Sequence, residues 1–272
     1  MPVYQAVVLA VVQALTEFLP ISSSAHLALA PWLLGWPDQG LAFDIALHFG
    51  TLLAVVAFFH RDLARILGRG LGLLKPGPAD HHMNGRMLWF LAAATIPVGV
   101  AGLLLKPFVE TTLRSPYVMG TMLVAVGLLM WYAEAACRQR RSFGEIELKD
   151  ALWIGLAQAV ALIPGTSRSG ITITAAMLRS IDRPSAARFS FLLSTPAVLA
   201  AALKDFWDLQ QAGGLSDEMK LPFAAGIGVS ALTGFAVIAL FLRYLRSNTL
   251  RFFIAYRIVF GIIIIALAIF RR

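Results

Sequence analysis

Charge is scarce in this chain. Only 14% of its 272 residues are Asp, Glu, Lys or Arg, against about 25% in an ordinary soluble domain. With 58% hydrophobic residues and a mean hydropathy of +0.75, the composition excludes a soluble globular domain. Cysteine is nearly missing too. Cys137 stands alone, which rules out an internal disulfide and a multi-cysteine metal site. The alternating segments of about ten residues that mark a membrane β-barrel are absent. No basic stretch precedes the first apolar run, so a cleavable signal peptide is not expected. A net charge of +8 would fit a nucleic-acid partner, but the basic residues fall mostly in loops between apolar runs. Orientation in a bilayer explains them better.

What is present is a set of long apolar runs. A spanning helix needs about 20 mainly apolar residues. Six segments qualify: 41–60, 86–105, 116–136, 186–204, 221–243 and 251–270. Two regions do not. Residues 3–19 and 22–34 are short and are split by Pro20; residues 150–163 and 168–179 are short and are split by Pro164-Gly165. Short, interrupted apolar segments at corresponding places in two halves signal re-entrant hairpins in an inverted repeat. The halves can be aligned by eye. Gln13-Ala14 leads to Leu19-Pro20 and Ser22-Ser23, as Gln158-Ala159 leads to Ile163-Pro164 and Thr166-Ser167; downstream, Phe43, Leu47 and Gly50 match Phe189, Leu193 and Pro196 in spacing. The expected fold is an all-α integral membrane protein, a single domain over 1–272. It carries six transmembrane helices and two re-entrant helical hairpins as an inverted-topology repeat, one half about 1–136 and the other about 150–272.

Loops 61–86, 138–149, 179–188 and 243–251 hold fifteen Lys or Arg residues, and the opposite side holds six. The positive-inside rule puts the basic loops in the cytoplasm and both termini outside. Loop 61–86, with His81 and His82, reads as a flexible connector, and 205–220 as an outer loop. Trp32, Trp36, Trp131 and Tyr132 read as interfacial anchors. Asp44 and His48 share a helix face near the outer interface, either lining a vestibule or ending a solvated helix.

The polar residues concentrate at the two interruptions. In the first, Gln13 and Glu17 lie four apart on one helix face. Pro20 ends that helix, and Ser22, Ser23 and Ser24 open the next. His26 falls three residues after Ser23. A carboxylate, hydroxyls and an imidazole are thereby expected together inside the membrane, where a charged group is a functional candidate by default. In the second, Gly165 permits close backbone approach, while Thr166, Ser167 and Ser169 offer hydroxyls. Arg168 sits in the first turn of the following helix. Helix N-termini bind anions, and an Arg fork matches phosphate. Two such N-termini brought together would make one anion pocket.

The pairing of Glu17-Phe18-Leu19-Pro20-Ile21-Ser22-Ser23-Ser24-Ala25-His26 with Pro164-Gly165-Thr166-Ser167-Arg168-Ser169-Gly170 resembles the undecaprenyl pyrophosphate phosphatases, the bacitracin-resistance membrane phosphatases. The likeness extends over nearly the whole chain. It implies hydrolysis of the C55 polyprenyl pyrophosphate carrier to the monophosphate, recycling it for peptidoglycan synthesis in the bacterial inner membrane. It also implies a divalent cation such as Mg or Ca, and frequent homodimers. The family's acidic motif, Glu or Gln, three residues, then Glu, reads here as Gln13 and Glu17, the variant with one carboxylate fewer for metal. The family's essential serine corresponds to Ser23, with Ser22 as runner-up. Glu17 or His26 would be the base, Glu17 alternatively a metal ligand, and Ser24 only a helix cap. Arg168 would stabilise charge on the transferred phosphoryl group. Gln13, Ser22, Gly165, Thr166, Ser167 and Ser169 would line the substrate. A rival reading is a secondary transporter or lipid flippase, because transporters share broken helices in inverted repeats. It accounts less well for hydroxyls, Glu17 and Arg168 converging on two helix N-termini.

Overall fold

The computed structural model describes residues 1–75, 85–111, 113, 115–211 and 214–270. His81 and His82 lie outside the described residues, as does the side chain of Trp32. Eleven α-helices follow in order among the described residues: α1 (Val3–Phe18), α2 (Ser23–Leu34), α3 (Leu41–Phe58), α4 (His60–Gly70), α5 (Arg86–Thr111), α6 (Pro116–Ala136), α7 (Leu148–Val160), α8 (Arg168–Leu178), α9 (Arg183–Gln211), α10 (Asp217–Leu245) and α11 (Arg251–Phe270). A 3-10 turn covers Phe143–Glu145. Helices α5, α6, α9, α10 and α11 are each long and apolar enough to cross a membrane, and the α3–α4 pair makes a sixth candidate. The protein is a multi-pass membrane protein.

Local chemistry sets the helix ends. α1 stops at Leu19, just before Pro20, which has no N–H to continue the ladder. α2 ends on Gly35 at φ 68°, the left-handed stop that glycine makes readily. Ser115 caps α6 by accepting from the Tyr117 N–H, with Pro116 in the first turn. Several spans run past their apolar cores: α9 and α10 take in most of 205–220, so the expected outer loop is reduced to a short link. The connector expected over 61–86 begins instead as α4, bent by 77° from α3. Its helical form follows from amphipathicity: Ile66 and Gly68 are buried, while Arg61 and Arg65 are exposed.

The helices pair crosswise. α1 packs against α10, α7 against α5, and α6 against α11. In the last pair, a Cβ on Gly120 would come within 2.9 Å of the Gly261 carbonyl, and one on Gly261 within 2.7 Å of the Gly120 carbonyl. Only glycine lets these backbones meet, the small-residue contact that membrane helices favour. The basic loops are tied together at one end of the bundle. Arg183 pairs with Glu134, which also accepts from the Leu250 N–H, and Arg188 donates to Asp62 at 2.6 Å. Trp131 and Tyr132 are exposed, whereas Trp36 packs edge-on against Tyr4.

Candidate active site

Both interruptions have the same shape. Ser22 precedes α2 at φ 78° and ψ 96°, and Ser167 precedes α8 at φ 69° and ψ 111°. Positive φ at a non-glycine residue costs on the order of 1–3 kcal/mol and survives only where the surroundings impose it. Counting from these caps, Ser23 and Arg168 are the equivalent first helical residues. The match made through Pro20 and Pro164 is therefore out by one, because Gly165 adds a residue to the second break. Gly165 itself sits at φ 92°, where a Cβ would lie 2.4 Å from the Met119 carbonyl oxygen.

Three polar contacts join the two hairpins among the described residues. Arg168 forms an ion pair with Glu17 through Nη2 and Oε1. The Gly165 N–H donates to Ser24 Oγ at 3.2 Å, and Ser169 Oγ donates to the Leu19 carbonyl at 3.2 Å. Ser24 is not the cap expected of it, since Ser22 holds that position; it joins one hairpin to the other, a contact that only the tertiary fold creates.

Glu17 is the hub. Its Oε2 accepts from Ser23 Oγ at 2.7 Å and from Gln13 Nε2 at 3.2 Å. Its side chain is only 7% exposed, so this carboxylate is neutralised by neighbours rather than by water. The imidazole facing it is His48, with Nε2 3.5 Å from Oε2. His48 Nδ1 lies 2.8 Å from the Asp44 carbonyl. A carbonyl only accepts, so Nδ1 carries the proton and Nε2 is the nitrogen left to take one up. His26 is held elsewhere. Its Nδ1 donates to the Ser22 carbonyl at 2.7 Å, its Nε2 accepts from the Tyr256 hydroxyl at 2.7 Å, and its ring stacks on Phe260. No hydrogen bond or ion pair joins its side chain to Glu17 or Ser23 among the described residues.

The remaining polar residues are largely buried. Ser22 Oγ lies 3.1 Å from Ser24 Oγ. Ser167 Oγ accepts from the Gly170 N–H at 3.1 Å and lies 3.3 Å from Ser169 Oγ. Thr166 Oγ1 donates to the Val160 carbonyl at 3.2 Å. Gln13 is fully buried, and its Oε1 has no hydrogen-bond partner. No cluster of three or more His, Cys, Asp or Glu is assembled among the described residues. A hard cation here would draw on Glu17 and the Gln13 Oε1 oxygen, a donor set that fits an ion completed by water and phosphate oxygens.

The sequence matches the family described as Bacitracin resistance protein BacA over residues 6–263. The chain belongs to this family. Among curated relatives, a protein of Gemmatimonas aurantiaca is 45% identical over 98% of both chains, and one of Moorella thermoacetica is 45% identical over the full length of both. A protein of Pelotomaculum thermopropionicum is 43% identical over all of this chain and 99% of its own. Each of these is named undecaprenyl-diphosphatase. The match covers both breaks and every helix between them.

Sequence reasoning missed Arg257 and gave His48 only a vestibule wall or a solvated helix end, not a place beside Glu17. His48 lies two helices away in the chain from the carboxylate it faces, and no spacing rule links them. Arg257 is fully buried at the centre of the bundle. Its signal was available, since an Arg inside the apolar run 251–270 is itself a flag.

Proposed function

We propose that the chain is an intramembrane undecaprenyl-diphosphatase that recycles the C55 carrier for peptidoglycan synthesis and so confers bacitracin resistance. One observation carries the site assignment: a single carboxylate, Glu17, receives the Ser23 hydroxyl from its own hairpin and the Arg168 guanidinium from the other. In the resting state, Arg168 neutralises Glu17. An arriving diphosphate competes for the guanidinium fork, which frees Glu17 to act as a base. Glu17 takes the Ser23 proton as Ser23 Oγ bonds to the terminal phosphorus. The bond from that phosphorus to the bridging oxygen breaks, and undecaprenyl phosphate leaves with the electron pair. Water then cleaves the phosphoserine, releasing inorganic phosphate and restoring the serine. His48 Nε2 is positioned to take the proton from Glu17 between the two steps. Arg168 and the N–H groups that open α2 and α8 oppose the charge on the transferred group. A divalent cation, Mg or Ca, would be held by Glu17 and Gln13 Oε1 and would screen the diphosphate charge. Phosphate release from the polyprenyl diphosphate by pure protein in detergent, with Ser23→Ala alongside, tests the reading. A flippase without hydrolytic activity would release none.

The hairpins are read as re-entrant and the halves as an inverted repeat. Support comes from the exchange of partners: α1 of the first half packs on α10 of the second, and α7 of the second on α5 of the first. The reciprocal bonds of Ser24 and Ser169 across the breaks agree. The basic end is assigned to the cytoplasm of a bacterial inner membrane, with both termini outside. Cys137, just past α6, is the only thiol. It should react with an impermeant reagent in inside-out vesicles and not in intact spheroplasts. Burial raises its pKa, so labelling is run at alkaline pH. Labelling from outside alone would reverse the orientation.

A further inference from the structure

Arg257 of α11 has no carboxylate partner among the described residues, although it is fully buried. All five of its N–H groups are matched to acceptors instead. Nε donates to the Leu123 carbonyl at 3.0 Å, and Nη1 donates to the Pro20 carbonyl at 3.2 Å and to Met130 Sδ at 3.1 Å. Nη2 donates to the Gly165 carbonyl at 3.3 Å and the Thr166 carbonyl at 2.9 Å. Pro20 belongs to the first break; Gly165 and Thr166 belong to the second. We infer that Arg257 is a positioning residue which clamps both breaks through their carbonyl oxygens and so holds Ser23 and Arg168 in register across the site.

The inference rests on the phosphatase reading and adds the part that reading leaves out. Ser22 and Ser167 lie in a backbone region that serine avoids, so something outside each hairpin must hold them there. Arg257 grips the chain two residues before Ser22, and one and two residues before Ser167. In a trans peptide the N–H points opposite to the carbonyl. Gripping the Thr166 carbonyl therefore turns the Ser167 N–H away from the guanidinium. The fork is needed because the carbonyls lie in different directions. A lysine ammonium offers three donors from a single point and cannot span both breaks. The seat is made for the guanidinium, since a Cβ on Gly170 would lie 2.6 Å from Arg257 Nη1.

The test pairs kinetics with amide hydrogen exchange on full-length protein in detergent, using undecaprenyl diphosphate as substrate. Arg257→Lys should lower kcat per folded molecule by about 10–100-fold, as expected when reacting groups shift by a fraction of an ångström to an ångström. KM should stay within about threefold, because the clamp touches no substrate. Exchange should quicken at residues 21–23 and at 166–168 together, with the spanning helices unchanged. Gly170→Ala, whose Cβ would press on Arg257 Nη1 and also lie 3.1 Å from Ser167 Cβ and Oγ, should lower kcat at least about fivefold in the same sense; faster exchange at residues 21–23, in the other hairpin, is the change that only the clamp produces. If Arg257→Lys does not fold, Gly170→Ala decides. A folded variant with wild-type kcat, or with exchange raised at one break only, overturns the clamp. So does a fall in melting temperature with kcat per folded molecule intact, which is the mark of a structural role. If wild type releases no phosphate, the phosphatase reading fails, while the exchange result still judges the clamp.

Discussion

In the first hairpin the inner helix starts with Ser23; in the second it starts with Arg168, after a serine cap of nearly the same φ and ψ. The surroundings then diverge. Every residue of α8 from Ser169 to Met177 is buried, whereas α2 leaves Ser24, Ala28, Leu33 and Leu34 exposed. The first break holds the carboxylate and the second holds none. One backbone solution has thus been used twice, once to present the Ser23 hydroxyl on the more open side and once to seat the Arg168 guanidinium in a packed wall. The proposed hydrolysis of a diphosphate needs both, because an attacking hydroxyl needs a base and the departing oxygens need positive charge.

Substitutions that remove what is particular to one hairpin would sharpen that division of labour. The largest effect is expected from Ser23→Ala. It removes one hydroxyl and no buried charge, so the fold should persist while kcat falls at least ~10³-fold, read as phosphate release with a thermal melt alongside. Glu17→Gln should follow, with kcat down about 10²–10⁴-fold, the range of a general base. It should also lower the melting temperature, since Arg168 loses its partner. Arg168→Lys keeps the charge but not the fork, and should cost at least ~10² in kcat. An Arg168 that merely anchored α8 at the interface would tolerate Lys, because both side chains reach water alike. Ser24→Ala deletes one neutral bond to the second hairpin. It should cost about 1 kcal/mol, or about fivefold in kcat. A loss as large as that of Ser23→Ala would move the nucleophile to Ser24.

Much of this fold was legible in the sequence because the bilayer imposes length. Residues 116–136 and 251–270 are helices at the expected boundaries, and the interruptions fall where Pro20 and Pro164 put them. The amphipathic helix α4 was hidden by a stretch rich in Gly and Arg that also suits a loop. At the site, the contact of Gln13 with Glu17 and the placement of Arg168 followed from helix periodicity and capping. The imidazole did not. His26 is three residues from Ser23, but Tyr256 and the Ser22 carbonyl hold it, and the histidine facing Glu17 comes from α3. Likewise, four of the five acceptors that fix Arg257 are backbone carbonyls of three distant segments, and no side-chain pattern encodes them.

The claim that the two hairpins build one catalytic pocket is tested most directly by a double-mutant cycle on Glu17→Gln and Arg168→Lys. Single-turnover release of radiolabelled phosphate is measured for wild type, both single variants and the double, each checked for folding. Groups that act as a unit are strongly non-additive. The double variant should therefore lose at least about tenfold less than the product of the two single losses. Losses that multiply in full would mean that Glu17 and Arg168 act independently, and the shared pocket would be contradicted.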